Sequence, residues 1–187
     1  LEQEVVTVAY ADDHTMVREG ISSFLNSFSE IKIIIQAYNG KDLIAQLENA
    51  AVLPDVCMID INMPEMDGFD TTLEVKKRWP HIKILILTIF DSELYIIRMI
   101  TYGAIGYMLK SSDPEELKKA LVASSNTGYY YSDAHTNSLM LQVQNREREM
   151  PPITTEEILF LQHACSEKSH LEIAEAMGTT TTVIDGY

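Results

Sequence analysis

The sequence is short of basic charge. Its 187 residues hold 14 Lys and Arg against 28 Asp and Glu, a formal net charge of −14. Phosphate contacts are made mainly by Lys and Arg, so composition alone argues against a nucleic-acid binder. Cysteine is scarce too. Cys57 and Cys165 show neither the CxxC spacing of a metal knuckle nor the density of a disulfide scaffold, and both read as reduced core residues. No run approaches the ~20 apolar residues that a bilayer needs, and no Walker A segment is present. A membrane protein and a P-loop ATPase are therefore not expected. The opening Leu1-Glu2-Gln3-Glu4 has no basic or apolar export region, so a cytoplasmic location is expected. The chain starts without Met and stops at Tyr187 inside a helical pattern, which reads as a fragment.

What is present is ordinary for a globular chain: 46 % apolar, 22 % charged and 8 % aromatic residues. Short apolar, β-branched runs recur at Val5–Ala9, Ile31–Ala37, Asp55–Ile61, Ile82–Ile89 and Ile105–Leu109. Helical patterns separate them. Val17, Ile21, Phe24, Leu25 and Phe28 form one helical stripe after Asp13, and Asp113-Pro114-Glu115-Glu116 supplies an N-cap, a proline at N1 and first-turn acids for a helix carrying Leu117, Ala120 and Leu121. Five strands each followed by a helix, apolar enough to be covered on both faces, predict a doubly wound α/β domain on a five-stranded parallel sheet.

The pattern changes after Tyr131. Residues 132–152 are polar, carry Arg146-Glu147-Arg148-Glu149 and end in Pro151-Pro152, the composition of a linker. A small all-α unit is expected over 153–187. Thr154-Thr155-Glu156-Glu157 reads as a capped start for a helix carrying Ile158, Leu161 and Cys165. A second apolar pattern runs through Leu171, Ala174 and Met177 to Gly178, and Thr180 caps a third helix. The domain reading is thus 1–131, a linker at 132–152, and 153–187.

In an open α/β sheet, ligands bind outside the carboxyl ends of the strands, at the switch in strand order. Here those ends are all polar: Asp12-Asp13, Asp60, Thr88 and Lys110. Taken singly, an Asp at a strand end serves more often as a helix cap or turn residue. Four chemically matched ends in order point instead to one site. Three carboxylates gathered by the fold repel one another unless a divalent cation sits among them, and oxygen ligands alone favour Mg²⁺. An ammonium and a hydroxyl facing that cluster would bind the oxygens of a phosphoryl group on one carboxylate. Pro64 forces an extended turn after the third strand, and Gly68 relieves crowding at the next helix. His14 reads as a helix-start residue rather than a ligand, and Trp79 as a helix-end packing residue.

The segments VAYADDH, MIDINMPEMDG, LILTIFD and GAIGYMLK resemble, in order and spacing, the receiver domain of bacterial two-component response regulators. DDHTMVREG and GAIGYMLK are similar to the NarL/FixJ subfamily, whose receivers precede a LuxR-type helix-turn-helix. The resemblance is dense over 5–126 and looser over 153–187. It implies that Asp60 is the phosphoacceptor for a sensor histidine kinase, and that Asp13, Asp60 and the Asn62 carbonyl ligate Mg²⁺ with Asp12 holding the ion through water. Lys110 and Thr88 would bind the phosphoryl group, and Tyr107 would be the switching aromatic; its bland alternative is a half-buried strand residue. Ile89 and Phe90 depart from the family, which usually places a small residue directly after the threonine.

HLEIAEAMG and VIDGY resemble the helix-turn-helix, which implies that Ile173 and Ala174 pack internally in its scaffold helix and that Thr180, Thr181, Thr182 and Asp185 lie on its DNA face. Val183 stands where the family usually has threonine, and Ile184 where it usually has valine. The implied function is a regulator whose phosphorylation controls dimerisation and DNA binding through the complete C-terminal domain. The alternative is a phosphorylation-gated module whose C-terminal helices bind protein. An enzyme is not expected: haloacid dehalogenase phosphatases need a second Asp two residues after the nucleophile, and here that residue is Asn62. Divided by domain, the acidity no longer refutes DNA binding. Residues 1–135 hold 20 acids and 11 bases, while residues 136–187 hold 8 acids and 3 bases. The C-terminal part in hand is itself acidic, so DNA affinity would need residues beyond Tyr187.

Overall fold

A computed structural model describes residues 5–127, 130–131, 154–164, 169–184 and 186. The chain forms two compact units, Leu1–Arg148 and Glu149–Tyr187. Among the described residues no helix is long and apolar enough to cross a membrane.

The first unit alternates strand and helix: β1 (Val6–Ala11), α1 (Thr15–Leu25), β2 (Ile31–Ala37), α2 (Gly40–Asn49), β3 (Val56–Ile59), α3 (Gly68–Arg78), β4 (Lys83–Thr88), α4 (Glu93–Thr101), β5 (Gly106–Leu109) and α5 (Pro114–Thr127). The five strands run parallel in the order β2-β1-β3-β4-β5, and a two-residue strand, β6 (Tyr130–Tyr131), adds a sixth at the β5 edge. The predicted doubly wound α/β architecture is thus the observed one.

The strand sequences explain why both faces are covered. Side chains alternate with period two, so Val6, Val8 and Tyr10 of β1, Val56 and Met58 of β3, and Leu85 and Leu87 of β4 meet Leu25, Leu117 and Leu121 from α1 and α5. The opposite set, Ala9, Ala11, Cys57, Ile59, Ile84 and Ile86, packs on Leu43, Phe69, Val75 and Met99 from α2, α3 and α4. Cys57 is free and buried, as expected; Cys165 lies outside the described residues.

Local signals set the boundaries. Asp113 Oδ1 accepts from Glu115 N at 2.9 Å, so α5 starts where Asp-Pro-Glu-Glu places it. β1 runs two residues past the predicted Ala9 to Ala11, because Asp12 N still reaches Ala37 O at 3.1 Å beside β2. Phe28 falls outside α1 yet keeps its place in the stripe by an edge contact with Phe24, ring centroids 5.0 Å apart. Trp79 is the C-cap of α3 and packs on the core beneath Arg78.

The second unit holds α6 (Thr155–Ala164), α7 (His170–Ala176) and α8 (Thr181–Ile184). Thr154 and Glu157 bond reciprocally at the start of α6, and Ser169 and Glu172 form a capping box on α7. Gly178 ends α7 in the left-handed region at φ +63, where a side chain is disfavoured. Its small core is Ile173, Ala174 and Ile184 with Phe160 and Met177. Ile173 and Ala174 pack inward as expected, whereas Leu171 and Leu161 from the apolar patterns are 61 % and 40 % exposed. The predicted linker at 132–152 lies outside the described residues.

Candidate functional site

The chain enters the sheet at β1, places β2 on one side and β3 on the other, so the switch in strand order falls between β1 and β3. Asp12 follows β1, Asp60 follows β3, Thr88 ends β4 and Lys110 follows β5. Backbone bonds fix these ends to one another: Asp60 N donates to Ala11 O at 3.0 Å, and Lys110 N to Thr88 O at 2.7 Å.

The side chains converge. Lys110 Nζ lies 2.7 Å from Asp60 Oδ2 and 2.9 Å from Asp12 Oδ2, bridging two carboxylates that are almost wholly buried. Asp60 Oδ1 accepts from Ile61 N at 2.7 Å. Burial pushes the Asp60 carboxyl above the usual carboxylate range; Lys110 and a hydrogen bond from Thr88 pull it down without cancelling that, and the Asp12 charge pushes it further up. Burial alone would lower the Lys110 ammonium, but Asp60 and Asp12 outweigh it and hold its pKa above the ordinary lysine value.

The carboxylates of Asp12, Asp13 and Asp60 thus outnumber the one ammonium, which bridges Asp12 and Asp60, and a divalent cation would neutralise the excess negative charge. Oxygen or nitrogen atoms of Asp12, Asp13, His14 and Asp60 all lie within 4.8 Å of one another. Asp13 Oδ1 is buried yet accepts no hydrogen bond; His14 Nδ1 lies 2.7 Å away without hydrogen-bond geometry. An orphaned carboxylate oxygen beside two others is the donor set a hard cation takes, so the pocket could hold a metal ion. His14 occupies the N-cap position of α1, as expected, and its imidazole is mostly exposed.

The other predicted residues are placed as follows. Thr88 is fully buried, and its Oγ1 accepts from Phe90 N at 3.5 Å. Tyr107 is 3 % exposed and points inward, its hydroxyl donating to the Phe90 carbonyl at 2.7 Å. Asn62 follows Asp60 by two residues with its side chain exposed. Gly68 is the crowding position it was read as: a Cβ there would stand 2.3 Å from the Asp60 carbonyl oxygen. Ile89 is 70 % exposed, and Phe90 packs edge-on against Tyr95 with centroids 5.5 Å apart. In the second unit Thr180 accepts from Val183 N and Ile184 N with its carbonyl, Thr182 is exposed and Thr181 half-buried. Asp185 lies outside the described residues.

Sequence reasoning missed three supports of the pocket. The Tyr10 hydroxyl donates to Asp12 Oδ2, the Arg18 guanidinium donates to the Asp12 carbonyl, and Asn39-Gly40 packs against the β3–α3 loop. Tyr10 carried a usable signal, since it precedes Asp12 by two residues and so shares its side of the strand.

Comparison with known proteins agrees with this arrangement. Residues 8–122 match the response regulator receiver domain family. The transcriptional regulatory protein YxjL of Bacillus subtilis (strain 168) is 29 % identical over 190 residues, covering 98 % of this chain and 86 % of that protein. The response regulator protein VraR of Staphylococcus aureus (strain Mu3 / ATCC 700698) is 29 % identical over 179 residues, covering 96 % and 85 %. Among solved structures, the NarL signal receiver domain from Mycobacterium tuberculosis superposes with a TM-score of 0.62 at 28 % identity, covering 66 % of this chain and 98 % of that one. Promoter-bound RcsB from Salmonella enterica serovar Typhimurium gives 0.66 at 20 % identity, over 98 % and 88 %, a likeness of fold. The family is one of signalling regulators rather than enzymes. With its strand-end carboxylates and lysine on a doubly wound sheet, the chain belongs to the response regulator receiver domain family and is a response regulator of a two-component system.

Proposed function

We propose that this regulator takes a phosphoryl group on Asp60 from the phosphohistidine of a sensor kinase and uses it to control transcription. The observation that carries the reading is Lys110 Nζ held 2.7 Å from Asp60 Oδ2 and 2.9 Å from Asp12 Oδ2. An Asp60 carboxylate oxygen forms the new O–P bond as the P–N bond breaks; the bonding pair leaves with the imidazole nitrogen, which takes up a proton. Lys110 then binds phosphoryl oxygens, and the buried Thr88 donates its hydroxyl to them. Asp12, Asp13, Asp60 and the Asn62 carbonyl would hold Mg²⁺, which supplies neutralisation of phosphoryl charge. Tyr107 already lies inside, so it acts by keeping or releasing its bond to Phe90 as Thr88 shifts.

Residues 1–131 form the receiver, 132–152 the linker and 153–187 belong to a LuxR-type helix-turn-helix whose DNA face includes Thr180, Thr181, Thr182 and Asp185. The regulator works in the cytoplasm, where its kinase presents phosphohistidine, and it dimerises when phosphorylated. By reciprocity, DNA or dimer binding favours the phosphorylated form. Relatives named as transcriptional regulators support DNA over protein as the target of the C-terminal helices. The described residues of the second unit carry four Glu and no Lys or Arg, so they add little attraction for DNA phosphates, and pairing of two copies raises the affinity. Incubation with acetyl phosphate and Mg²⁺ tests the site: wild type should acquire one acid-stable, hydroxylamine-labile phosphoryl group and Asp60→Asn none. Equal labelling of both would refute the assignment.

A further inference from the structure

We propose that Asn39 and Gly40, between β2 and α2, are positioning residues for the cation site: they clamp the β3–α3 loop that carries Asp60 and the Asn62 carbonyl. The inference rests on the reading of the acidic pocket as a Mg²⁺ site. The loop is closed at its base by Gly68 N donating to Ile61 O at 2.8 Å and braced inside by Met66 N donating to Pro64 O at 2.8 Å. Its outer side is tied to another element by Gly40 N donating to Met66 O at 3.1 Å. Beside that bond, Asn39 is 1 % exposed; its Oδ1 accepts from Asp42 N at 2.8 Å to cap α2, and its Nδ2 donates to Glu65 Oε1 at 3.4 Å.

Two features show that this contact shapes the loop. Glu65 has φ +65, a left-handed conformation that a side-chain-bearing residue holds only under constraint. Gly40 has no room for a side chain: a Cβ would stand 1.9 Å from Thr71 Oγ1 and 2.8 Å from both Met66 Cγ and the Met66 carbonyl oxygen. The Thr71 hydroxyl is itself committed to the Asp67 carbonyl. Gly40 thus seats the start of α2 against the loop's backbone, and a methyl group there must push out the carbonyl that anchors it. Mg²⁺ demands near-ideal octahedral ligation, and residues that orient metal ligands affect affinity about 10- to 100-fold.

Isothermal titration of the whole chain with MgCl₂ tests the clamp. Gly40→Ala should weaken Mg²⁺ binding about tenfold. Glu65→Gly, which suits the left-handed backbone and so keeps the fold, should weaken it by about threefold more than Glu65→Gln, which removes the same charge but keeps an acceptor for Asn39. A purely structural role would lower the urea midpoint and leave the affinity of the folded protein unchanged. Should Gly40→Ala fail to fold, the Glu65 pair decides alone. Affinities within twofold of wild type for Gly40→Ala, or equal affinities for the two Glu65 variants, overturn the clamp while the metal site stands. A wild-type chain that binds no Mg²⁺ overturns the metal reading, and the clamp with it.

Discussion

The Tyr107 hydroxyl donates to the Phe90 carbonyl oxygen at 2.7 Å, joining β5 to the loop that follows β4. Tyr107→Phe keeps the ring and removes only this bond. The unfolding free energy should fall by about 1 kcal/mol, seen as a lower urea midpoint with an unchanged m-value. Phosphorylation by acetyl phosphate should proceed at a near wild-type rate, because the hydroxyl does not touch Asp60. A rate loss beyond about tenfold, some 1.4 kcal/mol in the barrier, would place Tyr107 in the chemistry instead.

Lys110→Met should separate the ammonium's structural role from its chemical one. Its removal leaves Asp12 and Asp60 facing each other, both almost wholly buried, without their shared cation. Stripping one partner from a buried pair costs about 3–5 kcal/mol, so without metal the variant should melt well below wild type. Added Mg²⁺ should raise its melting temperature more than it raises wild type's, since the cation then compensates both carboxylates. Equal shifts in the two proteins would mean that the ion binds elsewhere.

Alkaline pH should destabilise the receiver through several groups acting in one direction. Burial pushes the Cys57 thiol from 9.0 up to about 12. Burial, joined by neighbouring carboxylates, raises Tyr10 and Tyr107 above 10.0. Lys110 stands above 10.5, because its two carboxylates outweigh burial. Each group holds its proton more tightly folded than unfolded, so the unfolded chain loses protons first and stability falls as pH rises. The contribution is complete below pH 9 and is lost between there and the folded values. Urea midpoints from about pH 8 to 11 should fall steeply, and less steeply for Cys57→Ala; parallel curves would remove Cys57 from the account.

The receiver was legible in sequence because its strands are covered on both faces, leaving near-continuous apolar runs that end in Asp12, Asp60, Thr88 and Lys110 at one rim. What stayed hidden depends on contacts distant in sequence. β1 reaches Ala11 because Asp12 N still finds the Ala37 carbonyl, a partner no local pattern displays. Nothing near Gly40 in the chain shows that Thr71 and Met66 close over it in the fold. In the second unit periodicity alone misleads, since Leu171 matches the spacing yet is exposed; the resemblance to a helix-turn-helix is what points to Ile173 and Ala174, which pack.

Gly68→Ala should damage both fold and site. The added Cβ would stand 2.3 Å from the Asp60 carbonyl oxygen and 2.7 Å from Ile61 Cα, and both are backbone atoms with no rotamer to yield. Overpacking of this kind costs about 1–3 kcal/mol. Because the clash falls on the peptide of Asp60, the proposed phosphoacceptor, labelling by acetyl phosphate should drop more than in any variant of equal stability loss placed elsewhere in the core, such as Val75→Ala. Comparable labelling of the two would show that the close approach serves packing alone.

Phe90 should lengthen the life of the phosphorylated state. Hydrolysis of an acyl phosphate needs a water placed in line with the O–P bond, and a polar side chain at the pocket mouth can hold it. Two residues past Thr88 the side chain is apolar: Phe90 turns its ring onto Tyr95, centroids 5.5 Å apart, and spends its backbone on Thr88 Oγ1 and Tyr107. Ile89, 70 % exposed beside it, offers no hydrogen bond either. Phe90→Glu keeps both backbone contacts and adds an acceptor for water, so loss of phosphoryl from purified, labelled protein should accelerate by roughly tenfold, the lower part of the range for a positioned acid–base group. Phe90→Leu, equally apolar, should decay as wild type does. An unchanged decay rate in Phe90→Glu would sink the idea, and acceleration in Phe90→Leu would trace the effect to lost bulk rather than to water placement.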